Sequence, residues 1–270
     1  MPITHGGTSV YDAPLFGQAI KRIYAGERVV FDKYAPNGVV FDGSTYLSRS
    51  APVGAADSNK FTFSAWMKAA TDASSLPIMS MSSGFSLTRT TPSATITVFG
   101  AGGGATRLNL RTTSSALAVA DGWRHVIMSF DLSDTAKRRI YVDDANMALT
   151  VTTYSNANIA FATGAPPIYI GANFTATSKY SGSMAEVWFQ PGTYLDLTDE
   201  SVRRKFITAD GKPECLGLQG QRPTGSAPLL YLGSRDVLAD TWPENRGTGG
   251  DLSAATGTLT DDAIPPTVAG

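Results

Sequence analysis

Glu186 stands inside an otherwise apolar run, Met184-Ala-Glu-Val-Trp-Phe189, and a carboxylate in that setting raises the chemistry of glycosidic-bond cleavage. Such cleavage needs two carboxyl groups flanking one bond, the first as acid and the second as nucleophile or base. Two acids sharing one face of a strand lie two or four residues apart. The residues two away are Met184 and Trp188, and Gln190 lies four away. Glu186 is therefore not half of a local pair, and the pattern predicts a structural carboxylate bonded to a neighbouring strand or loop. A hydrolase would have to join it to a distant acid such as Asp143.

The remaining reactive residues are few. His5 and His125 are the only histidines, so a Ser-His-Asp or Cys-His site must use one of them. His125 falls inside a strand pattern, on the face of Trp123 and Ile127, which predicts a packed, hydrogen-bonded imidazole. Cys215 is the only cysteine, which excludes an internal disulfide and leaves a poor ligand set for a transition metal. Asp131 with Asp134, or the pair Asp143-Asp144, could contribute oxygens to calcium, but acids in hairpin turns ordinarily serve as turn formers. Gly100-Ala-Gly-Gly-Gly-Ala105 matches the dinucleotide fingerprint G-x-G-x-x-G/A, which requires a helix next. The following Thr106-Arg-Leu-Asn-Leu-Arg111 alternates as a strand, so a glycine-rich hairpin is expected instead. No catalytic residue, metal or cofactor is predicted. Aromatic and amide side chains in loops are how a β-sandwich would hold a sugar, and Tyr154, Asn156, Asn158, Asn173, Phe174 and Tyr180 form that candidate set.

The elements that must carry these residues are strands. Phe61, Phe63, Ala65 and Met67 alternate with Thr62, Ser64, Trp66 and Lys68, the two-residue period of a half-buried strand. The period returns in 95–99, 107–110, 124–130, 139–142, 167–170 and 184–189, with turn residues between. Many short strands at this spacing describe an all-β antiparallel jelly-roll sandwich. One short helix is expected near 198–207, with Thr198 as cap, Asp199 and Glu200 in the first turn, Arg203, Arg204 and Lys205 in the last, and Val202 and Phe206 anchoring it to a sheet. Residues 1–37, interrupted by Pro14, Gly17, Gly26 and Pro36, read as an arm for attachment or oligomerisation, with 38–238 as the sandwich. Residues 239–270, rich in Gly, Thr and Pro, read as an extended cover or linker.

Lys and Arg total 22 against 23 Asp and Glu, which argues against nucleic acid or an anionic membrane as partner. No apolar run is long enough to span a bilayer. The first residues lack the basic and apolar regions of a secretory signal, so folding in a reducing cytoplasm is expected.

The order of segments "VVFDGSTYLSR", "FTFSAWMKA", "GWRHVIMSFD", "RRIYVDD", "IYIGANF" and "YSGSMAEVWFQPG", closing on "TDESVRRKF", resembles the laminin-G-like, or concanavalin A-like, lectin/glucanase superfamily. The resemblance covers about Val39 to Phe206. It implies a two-sheet jelly roll and a role in binding glycans or proteins. The hydrolytic branches carry several acids on one strand, a pattern that the lone Glu186 does not follow. The segment after Phe206 resembles the C-terminal extension of laminin-G-like proteins of tailed bacteriophages and prophages. That likeness implies a non-enzymatic virion protein, capsid-decorating or tail-associated, assembled in the host cytoplasm. Its implied partners are other virion proteins through the arm, further copies of itself, and host-surface glycan. A free carbohydrate-binding module is the alternative, and a glycoside hydrolase the third reading.

Overall fold

The computed structural model describes residues 36–82, 84–233 and 238–262, together with the backbone of four strands before them. The chain divides into two units, Met1–Ala35 and Pro36–Gly270. In the first, Ile3–His5 pairs antiparallel with Thr8–Val10, and Arg22–Ala25 pairs with Arg28–Asp32. The remainder of the expected arm before residue 36 lies outside the described residues.

The second unit is an antiparallel sandwich. Sheet one runs, from edge to edge, Leu149–Tyr154, Ala105–Thr112, Thr95–Gly102, Phe85–Thr90, Leu76–Met81, Ile168–Ile170, Tyr46–Arg49 and Ser253–Thr256. Sheet two runs Ala145–Asn146, Arg138–Val142, Arg124–Asp131, Lys60–Ala69, Ser181–Pro191, Val39–Asp42 and Thr260–Asp261, with Leu230–Leu232 also paired to Ser181–Pro191. The expected all-β jelly-roll sandwich with one short helix is what forms.

Alternation decides which side chains meet between the sheets. Phe61, Phe63, Ala65 and Met67 enter the core, as do Leu108, Leu110, Val98 and Leu87 from the other sheet. Five rings knit the centre: Phe61 lies 5.0 Å from Phe130 and 5.2 Å from Phe85, while Phe161 lies 5.4 Å from Phe85 and 5.6 Å from Phe189. Each fully buried ring contributes ~1.5–3 kcal/mol over exposure. Arg89 also points inward and is fully buried. Its Nε donates to the Leu117 carbonyl and its Nη1 to the Ser74 carbonyl, both at 3.1 Å, and Nη2 pairs with Asp72. A buried guanidinium persists where its donors are satisfied in this way.

Sheet two is covered on its outer face as well. Leu195, Leu197, Val202, Phe206 and Leu216 pack on Ile127, Tyr141, Trp188 and Tyr231. The helix Glu200–Arg203 in this cover is capped by Asp199, whose side chain accepts from the Ser201 amide at 2.8 Å. Thr198, the expected cap, instead donates its hydroxyl to Asp196 at 2.7 Å. Downstream of Ala239, Trp242, Leu252 and Leu259 stand in the main core, Trp242 edge-on to Phe41 at 5.9 Å. The last described strands, Ser253–Thr256 and Thr260–Asp261, add one edge to each sheet. No helix among the described residues is long and apolar enough to cross a membrane.

Candidate functional site

Glu186 sits on a β-bulge. Ala185 opposes Trp66 and Trp188 opposes Ser64, so Glu186 and Val187 together face one residue of the neighbouring strand. The bulge puts Glu186 at φ 52°, a left-handed conformation rare outside glycine. It also resets the strand's alternation: Met184 and Val187 face the core, whereas Ala185 and Trp188 face outward. The expectation that Met184 and Trp188 share a face fails for this reason. The carboxylate is 2% exposed and accepts the Tyr231 hydroxyl at 2.7 Å. Gly233 leaves room for it, since a Cβ there would stand 2.6 Å from Glu186 Oε1. Glu186 is thus the strand-bonded structural carboxylate that its surroundings in the sequence suggest.

The other acids and His125 are also engaged. Asp143 accepts from Arg124 at 2.6 Å and from the His125 amide at 2.8 Å. Asp144 pairs with Arg203 and Arg204; burial opposes its charge, but these guanidinium groups hold it below the carboxylate range. Asp131 is likewise desolvated yet held low by Ser133 and Lys60, while Asp134 accepts the Ala136 amide. No three-residue group of His, Cys, Asp or Glu suited to a metal ion occurs among the described residues. His125 Nε2 lies 2.9 Å from the Ser64 hydroxyl, and the imidazole rests on Trp66 with centroids 5.2 Å apart. Burial lowers its pKa to about 3, so the ring is neutral. Gly103 and Gly104, at φ 56° and 76°, make the two-residue turn between Thr95–Gly102 and Ala105–Thr112, so the glycine run is a hairpin.

The six sugar-binding candidates divide between two ends of sheet one. Tyr154 lies level with Leu108, Leu108 with Gly100, Gly100 with Phe85, and Phe85 with Met81, which marks the end where Ile168 enters. Ile170 pairs with Met79, so the chain then runs to Asn173, Phe174 and Tyr180 at the opposite end. At the first end, Tyr154 donates to the Asp131 and Lys137 carbonyls at 3.0 and 2.9 Å. Asn156 accepts from Asn59 at 3.0 Å, and Asn158 is exposed. A cleft of about 330 Å³ opens beside them, lined by Ser82, Gly84, the 101–104 hairpin, Ala160 and Thr163. At the second end, Asn173 accepts the Ser178 amide at 3.0 Å and Phe174 is exposed. Tyr180 is fully buried and donates to the Lys68 carbonyl at 3.0 Å. Burial raises the phenols of Tyr180 and Tyr154 above their ordinary range.

Between these ends lies a surface that the loop-centred reading missed, the outer face of sheet one. Its eight strands contain no Asp or Glu. Phe99, half-buried, is directly opposite Asn109 on one side and Ser86 on the other. One step along, Thr97 is opposite Arg111 and Thr88, and Arg111 is opposite Thr150. The row of Phe99 and Ser86 continues to Ser80, which is buried and donates to the Ala172 carbonyl at 2.9 Å; beyond it stands Tyr169, whose ring lies 6.0 Å from that of Tyr46. The alternation of Thr95-Ile-Thr-Val-Phe99 and Arg107-Leu-Asn-Leu-Arg111 contains the signal: with Ile96, Val98, Leu108 and Leu110 inward, Thr97, Phe99, Asn109 and Arg111 must be outward.

Residues 41–195, more than half of the chain, match the profile of the Laminin_G_3 family, described as the concanavalin A-like lectin/glucanases superfamily. The fold is similar to that of a Bacteroides ovatus ATCC 8483 chain assigned to carbohydrate binding, with TM-score 0.59 and 18% identity over 88% of this chain and 63% of that one. This chain therefore spans less than two thirds of that protein. It is also similar to a heptameric SAP-like pentraxin from Limulus polyphemus, with TM-score 0.51 and 12% identity over 84% and 94% of the two chains. No curated protein sequence matches. With this sandwich, its order of strands and the matched profile, the chain belongs to the concanavalin A-like lectin/glucanases superfamily.

Proposed function

We propose that this protein is a non-enzymatic glycan-binding sandwich carried on a tailed-bacteriophage particle, as a capsid-decorating or tail-associated subunit. The observation that carries glycan binding is the outer face of sheet one. An aromatic ring there, Phe99, has an amide, hydroxyls and a guanidinium on the paired strands beside it. A sugar presents an apolar C–H face and a rim of hydroxyls, and this surface offers a partner for each. Against catalysis, Glu186 is sealed behind Tyr231, and Asp143 already serves Arg124 and His125. Saturable binding of a host-surface polysaccharide by the full chain, lost in Phe99→Ala, tests the reading; reducing ends released from that polysaccharide would contradict it.

The virion placement rests on the resemblance of the segment after Phe206 and on the division of the chain into a first unit, Met1–Ala35, that suits attachment to neighbouring subunits. Mass spectrometry of virions purified from the host that encodes the chain should find it as a stoichiometric component. Its absence from particles would leave the free carbohydrate-binding module as the remaining reading.

A further inference from the structure

We infer that the glycan taken by the outer face of sheet one is built of carboxylate-bearing sugars, with one ring stacked on Phe99 and Arg111 receiving its carboxylate. This inference rests on the glycan-binding reading and narrows it to one chemical class.

The charge balance of the face is its basis. Arg111 is exposed, and its side chain makes no hydrogen bond or ion pair with the described residues. No strand of the sheet supplies an acid to answer it. Elsewhere in the sandwich the arginines are engaged: Arg89 by Asp72, Arg124 by Asp121 and Asp143, Arg203 and Arg204 by Asp144. Even Arg107, next on the same strand face, donates its Nε to the Gly102 carbonyl at 3.0 Å. A guanidinium recognises a planar carboxylate through two parallel N–H donors, a geometry that a neutral sugar hydroxyl does not complete.

Position supplies the rest. Arg111 is diagonal to Phe99, opposite Thr97 while Phe99 is opposite Asn109, which separates such neighbours by ~7–8 Å. A ring stacked on Phe99 can thus extend a carboxylate to Arg111 while Asn109 and Ser86 meet its hydroxyls. Along the row the open surface ends beyond Ser86, because the next residue, Ser80, is buried and donates to the Ala172 carbonyl at 2.9 Å.

The test uses the full chain and four probes: oligogalacturonate, its methyl ester, polysialic acid and neutral dextran. Calorimetric titration should show saturable binding of at least one carboxylated probe, weakened by salt. If oligogalacturonate is the probe that binds, its methyl ester should bind far less. Arg111→Gln should weaken binding of the carboxylated probe about ten- to hundredfold at unchanged melting temperature. Phe99→Ala should weaken every probe that binds. Equal binding of the ester and the acid, or no effect of Arg111→Gln, overturns the acidic class while leaving glycan binding in place. Silence of both carboxylated probes alongside binding of dextran that Phe99→Ala abolishes does the same. Silence of all four probes overturns the inference and the glycan-binding reading together.

Discussion

Glu186 occupies a left-handed backbone conformation inside a strand, a state that costs a non-glycine residue ~1–3 kcal/mol and persists only where its surroundings impose it. The Tyr231 hydroxyl and the space left by Gly233 are parts of that imposition. Tyr231→Phe removes the donor and leaves the rest of the pocket intact, so unfolding in denaturant should show a loss of ~1–3 kcal/mol with glycan binding unchanged. His125 yields a second residue-scale prediction. Its folded pKa, about 3, lies below the unfolded value near 6.5, so the unfolded chain binds the extra proton between them. Its contribution is fully present above pH 6.5 and is lost as pH falls through that window. The depressed carboxylates Asp131 and Asp144 begin to count only nearer pH 4. Stability should therefore fall by up to ~1.4 kcal/mol per pH unit between about pH 6 and 4.5, and His125→Gln should flatten that slope whatever its effect at pH 8.

At the scale of elements, strand alternation carried most of what the sequence makes legible. The inward set Phe61, Phe63, Ala65 and Met67 and its outward partners follow from period two alone, as does the packed setting of His125. The bulge at Glu186 was not legible, because one extra residue changes no residue type yet inverts the face of everything beyond it. The helix cap slipped by one residue because Thr198 and Asp199 are both competent caps, and Asp196 draws the Thr198 hydroxyl away. The fate of residues 239–262 was hidden for a different reason. Gly, Thr and Ser between isolated Trp242, Leu252 and Leu259 give no period, and only long-range pairing places them in the core. Trp242→Ala should accordingly cost ~3–5 kcal/mol in denaturant unfolding. A chain ending at residue 238 should lose its cooperative transition.

At the scale of the whole molecule, the two sheets differ in what they do with their outer faces. Sheet two buries its own beneath Leu197, Phe206, Leu216 and their neighbours, and its only carboxylate in the strand centre, Glu186, is enclosed. Sheet one leaves rows of hydroxyls, an amide, a guanidinium and Phe99 accessible at fixed strand spacings. The candidate sugar residues read from the loops fall at two ends of sheet one, because loop composition says nothing about which end of a sheet a loop leaves from. The most direct measurement is chemical-shift mapping of the full chain titrated with the host-surface polysaccharide. Saturating shifts should be confined to Ser86, Thr88, Thr97, Phe99, Asn109 and Arg111. Shifts clustered elsewhere, or a flat titration across such polysaccharides, would contradict glycan binding on that face.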